Sequence, residues 1–174
     1  FPVAAGIWSD APTAARQLKA AVTEQSARAE VEAWTRAFRE ERIAHLRNRD
    51  ATAETDAHPI QPSGLFKVLR DVLPRDTAIT MDAGTLCLQA TDALDYWQPP
   101  SLFTPLDFGL VGFSFACGLG VKLACPERPV VSLMGDGGFG MTLSELSTAV
   151  DYGINTVTVV MNNGCWGAEK AYQR

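Results

Sequence analysis

Gly135-Asp136-Gly137-Gly138-Phe139-Gly140, with 24 residues between Gly137 and Asn162-Asn163, is the stretch from which the fold is read. Pro129 to Met134, just before it, is apolar and β-branched and reads as a buried strand. Beyond the glycines, Thr142-Leu143-Ser144-Glu145 has the spacing of a capping box, Leu143, Leu146 and Val150 fall on one helical face, and Gly153 ends that helix. Thr156 to Met161 alternates β-branched residues and reads as the next strand. A strand, a glycine-rich loop, a helix and a second strand form one unit of a parallel sheet.

The same alternation continues upstream. Ser63 is the expected cap of a helix with Leu65, Val68, Leu69 and Val72 on one face, ended by Pro74. Thr77 to Met81 reads as a buried strand leading into Asp82-Ala83-Gly84-Thr85, after which a helix of about ten residues is expected. Gly109-Leu110-Val111-Gly112 precedes an apolar helix over Phe113 to Ala124. The fold class is therefore α/β, a parallel sheet with helices on both faces, and such sheets bind ligands beyond the carboxyl ends of their strands.

Residues 1–23 read differently, as the end of a strand at Val3, Ala4 and Ile7 and a helix opened by Ser9-Asp10-Ala11-Pro12, the remnant of a preceding domain. Residues 24–57 read as a connecting helix and linker. Glu24 to Arg49 carries both charge signs, with Ala27, Val31, Trp34 and Phe38 as an apolar stripe, and Asn48 to Ala57 is polar. Residues 58–174 form the third segment. The chain starts at Phe1 and stops at Arg174 in a helical run, which reads as a piece of a longer polypeptide.

Composition bounds the function. With 174 residues, 47% hydrophobic and 20% charged, the chain is globular, not collagen-like, disordered or a coiled coil. A net charge of -5 without a basic stripe argues against a nucleic-acid groove or an anionic membrane surface, so any anionic ligand must be held locally. Cys87, Cys117, Cys125 and Cys165 form no Cys-x-x-Cys pair and, mostly among apolar neighbours, read as buried reduced thiols of a cytoplasmic protein. The longest uncharged run, Phe108 to Val121, has 14 residues and four glycines, too short and interrupted to span a bilayer. No secretory or transit segment is read.

The glycine stretch satisfies Gly-x-Gly-x-x-Gly, so a nicotinamide dinucleotide site is the first hypothesis. Two residues oppose it. The next strand ends in Asn162-Asn163 where such a site needs an acid for the ribose, and Asp136 would repel a pyrophosphate at the helix N-terminus. A divalent cation between them reverses that sign. Mg²⁺ is commonly held by one or two protein side chains, phosphate oxygens and water. Asp136 supplies charge, Asn163 a neutral carbonyl and Cys165 a backbone carbonyl, while Gly137 and Gly138 let the main chain approach a diphosphate.

Gly135-Asp136-Gly137 and Asn162-Asn163 at this spacing resemble the metal-diphosphate motif of thiamine diphosphate-dependent enzymes. The resemblance covers residues 58–174 and is to the C-terminal, diphosphate-binding module of the acetolactate synthase and pyruvate decarboxylase superfamily, truncated here; residues 1–23 resemble the end of its middle domain. It implies thiamine diphosphate and Mg²⁺ as cofactors, with Asp136, Asn163 and the Cys165 carbonyl as metal ligands. By the same resemblance Gly84 and Thr85 approach the cofactor, the Gly109 carbonyl accepts from its 4'-amino group, and Val111 wedges between its rings.

The family reading places the activating Glu in a separate pyrimidine-binding module of the same or a partner subunit, so this chain alone is expected to be inactive and its parent a homodimer or homotetramer. Neither His45 nor His58 sits in a catalytic context. Trp166-Gly167-Ala168-Glu169-Lys170 resembles a segment of sulfoacetaldehyde acetyltransferases, making Glu169 a candidate for proton transfer or substrate orientation and Lys170 a candidate for attracting a sulfonate. The implied substrate is a small 2-oxo acid or aldehyde. Acetolactate synthase-like and decarboxylase or ligase chemistry remain open alternatives, as does a noncatalytic interaction module.

Overall fold

Three short apolar runs and a two-residue segment supply the strands of one parallel sheet. In the computed structural model, which describes residues 2–22, 28–105 and 107–173, these are β1 (Ala78–Met81), β2 (Leu102–Phe103), β3 (Val130–Gly135) and β4 (Val157–Met161). Their order across the sheet is β2-β1-β3-β4. The chain therefore winds one way from β1 to β2 and the other way from β3 to β4, which leaves a topological switch point between β1 and β3. β2, two residues paired through Ile79↔Leu102 and Thr80↔Phe103, is too short to give a pattern, and the sequence reading misses it.

Side-chain alternation sends the strands' residues to two faces. On one face Ile79, Met81, Val131 and Leu133 pack with Phe66 and Leu69 of α3 (Pro62–Val72) and with Leu86, Cys87 and Ala90 of α4 (Thr85–Ala93). On the other, Met134 packs with Phe115 and Leu119 of α5 (Phe113–Ala124) and with Ile154. Thr80 and Ser132 share this second face as a small polar layer: Thr80 Oγ1 donates to the Ser132 hydroxyl at 2.9 Å, and Ser114 Oγ donates to the Thr80 carbonyl at 2.9 Å. α5 comes this close because Gly118 lacks a side chain; a Cβ there would lie 2.2 Å from Ser132 Oγ.

The helix after β3 departs from expectation. The glycine stretch is not an open loop: α6 begins at Asp136 and runs to Thr142, and α7 occupies Glu145–Asp151. No capping box forms, because Thr142 ends one helix and Ser144, in helical conformation, makes no side-chain cap bond; Glu145 instead accepts from Thr148 Oγ1 at 2.8 Å. Leu143, Leu146 and Val150 are 48%, 44% and 77% exposed, so the predicted apolar face is not buried within this chain. Gly153, at φ +61°, stops α7 as expected.

Other expectations need local correction. α3 is opened by Gln61 and Pro62, not by Ser63, because proline tolerates the first helical position. Val68 and Val72 are exposed, whereas Phe66 takes the core position. Of the cysteines, which are all free, Cys87 is buried but Cys117 and Cys165 are half-buried and Cys125 is exposed.

The chain divides into two compact units, residues 1–48 and 49–174. In the first, α1 (Ala11–Ala21) starts as read, with the Asp10 carboxylate accepting from Thr13 N at 2.9 Å, but Val3, Ala4 and Ile7 form no strand. α2 (Arg28–Ala51) extends three residues beyond Asn48, into the stretch read as linker. Trp34 and Phe38 stack on its exposed surface with centroids 5.6 Å apart, whereas Glu24 and Ala27 lie outside the described residues. In the second unit the end of α2 is fixed by Arg49, which donates to the Asp92 carbonyl at 2.9 Å, and by an Arg70–Asp50 ion pair. No described helix is long and apolar enough to cross a membrane.

Candidate diphosphate and metal site

β3 and β4 end level, with Gly135 paired to Met161. Asp136 and Asn162 therefore leave the sheet side by side at its carboxyl edge, with Asn163 one residue further on. Asp136 is half-buried in the first turn of α6, and its carboxylate makes no hydrogen bond or ion pair with another described residue. Asn163 is exposed; its Oδ1 accepts from Cys165 N at 3.0 Å, a turn that fixes the amide and leaves one lone pair unused by the described residues. Asn162 makes the same kind of turn to Gly164 N at 3.0 Å.

These residues line a cleft of about 780 Å³, within the size range of small-molecule sites. Its walls come from all three long strand ends: Asp82 to Leu86 after β1, Gly135 to Gly138 after β3, and Asn162, Asn163 and Cys165 to Glu169 after β4. Val111 reaches it from the turn before α5, and Pro59 to Pro62 close one side. Gly84 takes φ +104°, a backbone state costly for any other residue, and so starts α4 with Thr85 at the cleft. Gly167 joins two walls: a Cβ there would lie 3.3 Å from Asn163 Nδ2 and 3.4 Å from Thr85 Oγ1.

Glu169 lines the cleft from the first turn of α8 (Gly167–Tyr172), whereas Lys170 is exposed and outside the lining. Gly109, at φ +70°, lies in the exposed turn beyond Val111 and is not among the lining residues.

Gly137 and Gly138 have different neighbours. A Cβ on Gly137 would meet the Trp166 indole, 2.5 Å from Nε1, and one on Gly138 would lie 2.0 Å from Asp82 Oδ2. Asp82 is the main residue that sequence reasoning missed. It is 1% exposed, and its carboxylate accepts backbone N–H bonds from Gly112 at 2.9 Å and from Phe113 and Ser114 at 2.7 and 3.1 Å. Those donors lie 30 to 32 residues away, beyond the reach of any local pattern.

Asp82, Asp136 and Glu169 line the cleft with no Lys, Arg or His beside them among the described residues. An anionic ligand would therefore be repelled unless a cation came with it. The donor set fits Mg²⁺: one carboxylate, one amide oxygen and backbone carbonyls are hard oxygens, and the remaining positions suit phosphate and water. No cage of three His, Cys, Asp or Glu side chains exists among the described residues, so such an ion would depend on its ligand's oxygens.

Residues 82–174, more than half of the chain, match the family model described as thiamine pyrophosphate enzyme, C-terminal TPP binding domain. The chain belongs to this family. Among curated thiamine pyrophosphate enzymes and their relatives, it is 32% identical over 169 residues to a sulfoacetaldehyde acetyltransferase of Alcaligenes xylosoxydans xylosoxydans, covering 94% of this chain and 27% of that protein. It is 36% identical over 114 residues to the sulfoacetaldehyde acetyltransferase of Castellaniella defragrans, covering 66% and 19%. To a probable acetolactate synthase of Mycobacterium bovis it is 36% identical over 115 residues, covering 66% and 21%.

A solved structure, the Rhodococcus jostii RHA1 thiamine diphosphate-dependent 4-hydroxybenzoylformate decarboxylase, superposes with a TM-score of 0.61 at 29% identity, covering 66% of this chain and 21% of that one. The α/β sheet is thus that of the thiamine pyrophosphate enzymes, and a nicotinamide dinucleotide domain is set aside. The chain spans 19% and 27% of the first two curated relatives it matches.

Proposed function

We propose that this chain supplies the diphosphate-binding half of a thiamine diphosphate- and Mg²⁺-dependent enzyme acting next to the carbonyl of a small 2-oxo acid or aldehyde. The observation that carries this reading is the cleft at the ends of β3 and β4, whose charged lining residues among those described are all acidic and where Asp136 stands beside Asn162-Asn163. A carboxylate there is compatible with a diphosphate only across a bridging cation.

When bound, thiamine diphosphate supplies the carbanion-stabilising chemistry. The protein's residues have other tasks. Asp136, the Asn163 amide and the Cys165 carbonyl hold the metal, while Gly137 and the first turn of α6 present backbone N–H groups to the diphosphate. Gly84, Thr85 and Val111, which line the cleft, would border the cofactor, whereas Gly109, outside the lining, would reach it only by its backbone carbonyl. Glu169, on the cleft wall, orients substrate or moves a proton to it. The activating Glu belongs to a pyrimidine-binding module of the same or a partner subunit, in a homodimer or homotetramer. Four free thiols suit a reducing cytoplasm.

For the reaction we favour cleavage of sulfoacetaldehyde with phosphate to acetyl phosphate and sulfite, since a relative so named aligns over 94% of this chain. Acetolactate formation is the second reading, favoured by the relatives named as synthases. A full-length protein carrying this chain, given thiamine diphosphate and Mg²⁺, should release sulfite from sulfoacetaldehyde and phosphate. Acetolactate from pyruvate, with no sulfite in the first assay, would overturn the preference in favour of the synthase.

A further inference from the structure

Asp82 does more than end a strand. Its amide donates to the Leu133 carbonyl at 3.1 Å, which fixes it at the junction of β1 and β3, and its side chain turns to the start of α5. Both carboxylate oxygens are used there: Oδ1 by Phe113 and Ser114, Oδ2 by Gly112. The buried charge meets no Lys or Arg side chain among the described residues and is balanced by the N-terminus of a 12-residue helix. A neutral Ser or Asn would cap a helix as well, so capping alone does not account for a carboxylate that grips three consecutive N–H groups.

The opposite side of the same carboxylate is occupied by α6. A Cβ at Gly138 would be 2.0 Å from Oδ2, and one at Gly112 would be 3.1 Å from Met141 Cβ, so α6 and the α5 turn close on Asp82 without slack. Val111 immediately precedes Gly112, and Asp136 opens α6 two residues before Gly138. One side chain is therefore wedged between the turn that carries Val111 and the turn that carries Asp136. Both lie on the cleft.

We infer that Asp82 is a positioning residue that sets the spacing between Val111 and Asp136, and so the fit of the cleft to a ligand held at its ring end by one and at its diphosphate end by the other. This rests on the function proposed above. It requires no contact between Asp82 and the reacting atoms. The carboxylate acts through the backbone it holds.

The test uses full-length protein and three variants, reading the calorimetric Kd for thiamine diphosphate with Mg²⁺, the thermal midpoint without cofactor, and amide hydrogen exchange across Gly112 to Ser114. Asp82→Asn keeps an oxygen for two of the N–H groups but faces Gly112 N–H with a donor. Gly138→Ala leaves the carboxylate chemistry intact and pushes Oδ2 from the other side. Ser132→Ala disturbs the neighbouring polar layer and touches neither.

Asp82→Asn and Gly138→Ala should each weaken the Kd about tenfold or more and speed exchange at Gly112, because a buried donor loses its acceptor or its geometry. Ser132→Ala should lower the midpoint with Kd unchanged. If the wild type binds and the first two variants lose midpoint but keep its Kd, the inference is overturned while the proposed function stands. If the wild type itself binds no thiamine diphosphate, the proposed function falls, and this inference with it. If Asp82→Asn does not fold, Gly138→Ala decides by Kd and exchange together: because Gly138 also borders the cleft, a weakened Kd with unchanged exchange at Gly112 overturns the inference.

Discussion

Four cysteines in one small chain meet three degrees of exposure, and their chemistry follows from that. Cys87 is 1% exposed in the core and bonds with Thr104 Oγ1 at 3.4 Å; Cys125, at the end of α5, is open to solvent. Burial pushes the Cys117 thiol above its ordinary pKa, so less of it is thiolate at any mildly alkaline pH. Alkylation by iodoacetamide, followed by peptide mass spectrometry, should label Cys125 first, Cys117 more slowly and Cys87 last. Labelling of Cys87 as fast as Cys125 would contradict the packing of α4 on β1. The sequence places apolar neighbours around three of these thiols but cannot tell which side of a helix faces the sheet. Asp136 and Asn163 were legible because each follows a strong strand pattern directly, whereas the partners of Asp82 are remote in sequence.

Among the elements, α5 is the one whose reading and structure agree at both ends, Phe113 and Ala124. Gly112 precedes it, Cys125-Pro126 follows it, and the apolar run has no competing signal. Two glycines inside it are chemically alike and structurally opposite. Gly118 sits against Ser132 and Thr80, where a Cβ would lie 2.2 and 3.3 Å from their hydroxyl oxygens, while a Cβ at Gly120 would meet nothing within 4 Å. Gly118→Ala should therefore destabilise by about 1–3 kcal/mol through overpacking. Gly120→Ala should stabilise by about 0.5–1 kcal/mol through helix propensity. Urea unfolding of the two variants checks both signs, and equal effects would refute the close approach of α5 to the sheet. The capping box failed at this scale because its spacing also fits a short helix ending at Thr142 and another starting at Glu145, and local sequence does not choose between them.

At the scale of the molecule, the fold class was legible from alternation of strands and helices, but the strand order was not, because β2 has only two residues and no pattern. That order matters: the switch between β1 and β3 opens the edge of the sheet where Asp82, Asp136 and Asn163 stand around one cleft. Exposed Leu143, Leu146 and Val150 on α7 and exposed Val157 and Val160 on β4 show why side-chain burial was misread, since periodicity marks a face as apolar without saying what covers it.

On the function proposed above, this acidic cleft takes an anion only together with a cation, through Asp136. The most direct test is calorimetric titration of thiamine diphosphate into full-length protein carrying this chain, with Mg²⁺ and then with the metal chelated, for the wild type and Asp136→Ala. The wild type should bind with Mg²⁺ and lose that binding on chelation, and Asp136→Ala should bind in neither buffer. Equal binding by the wild type and Asp136→Ala, whether or not metal is present, would contradict it.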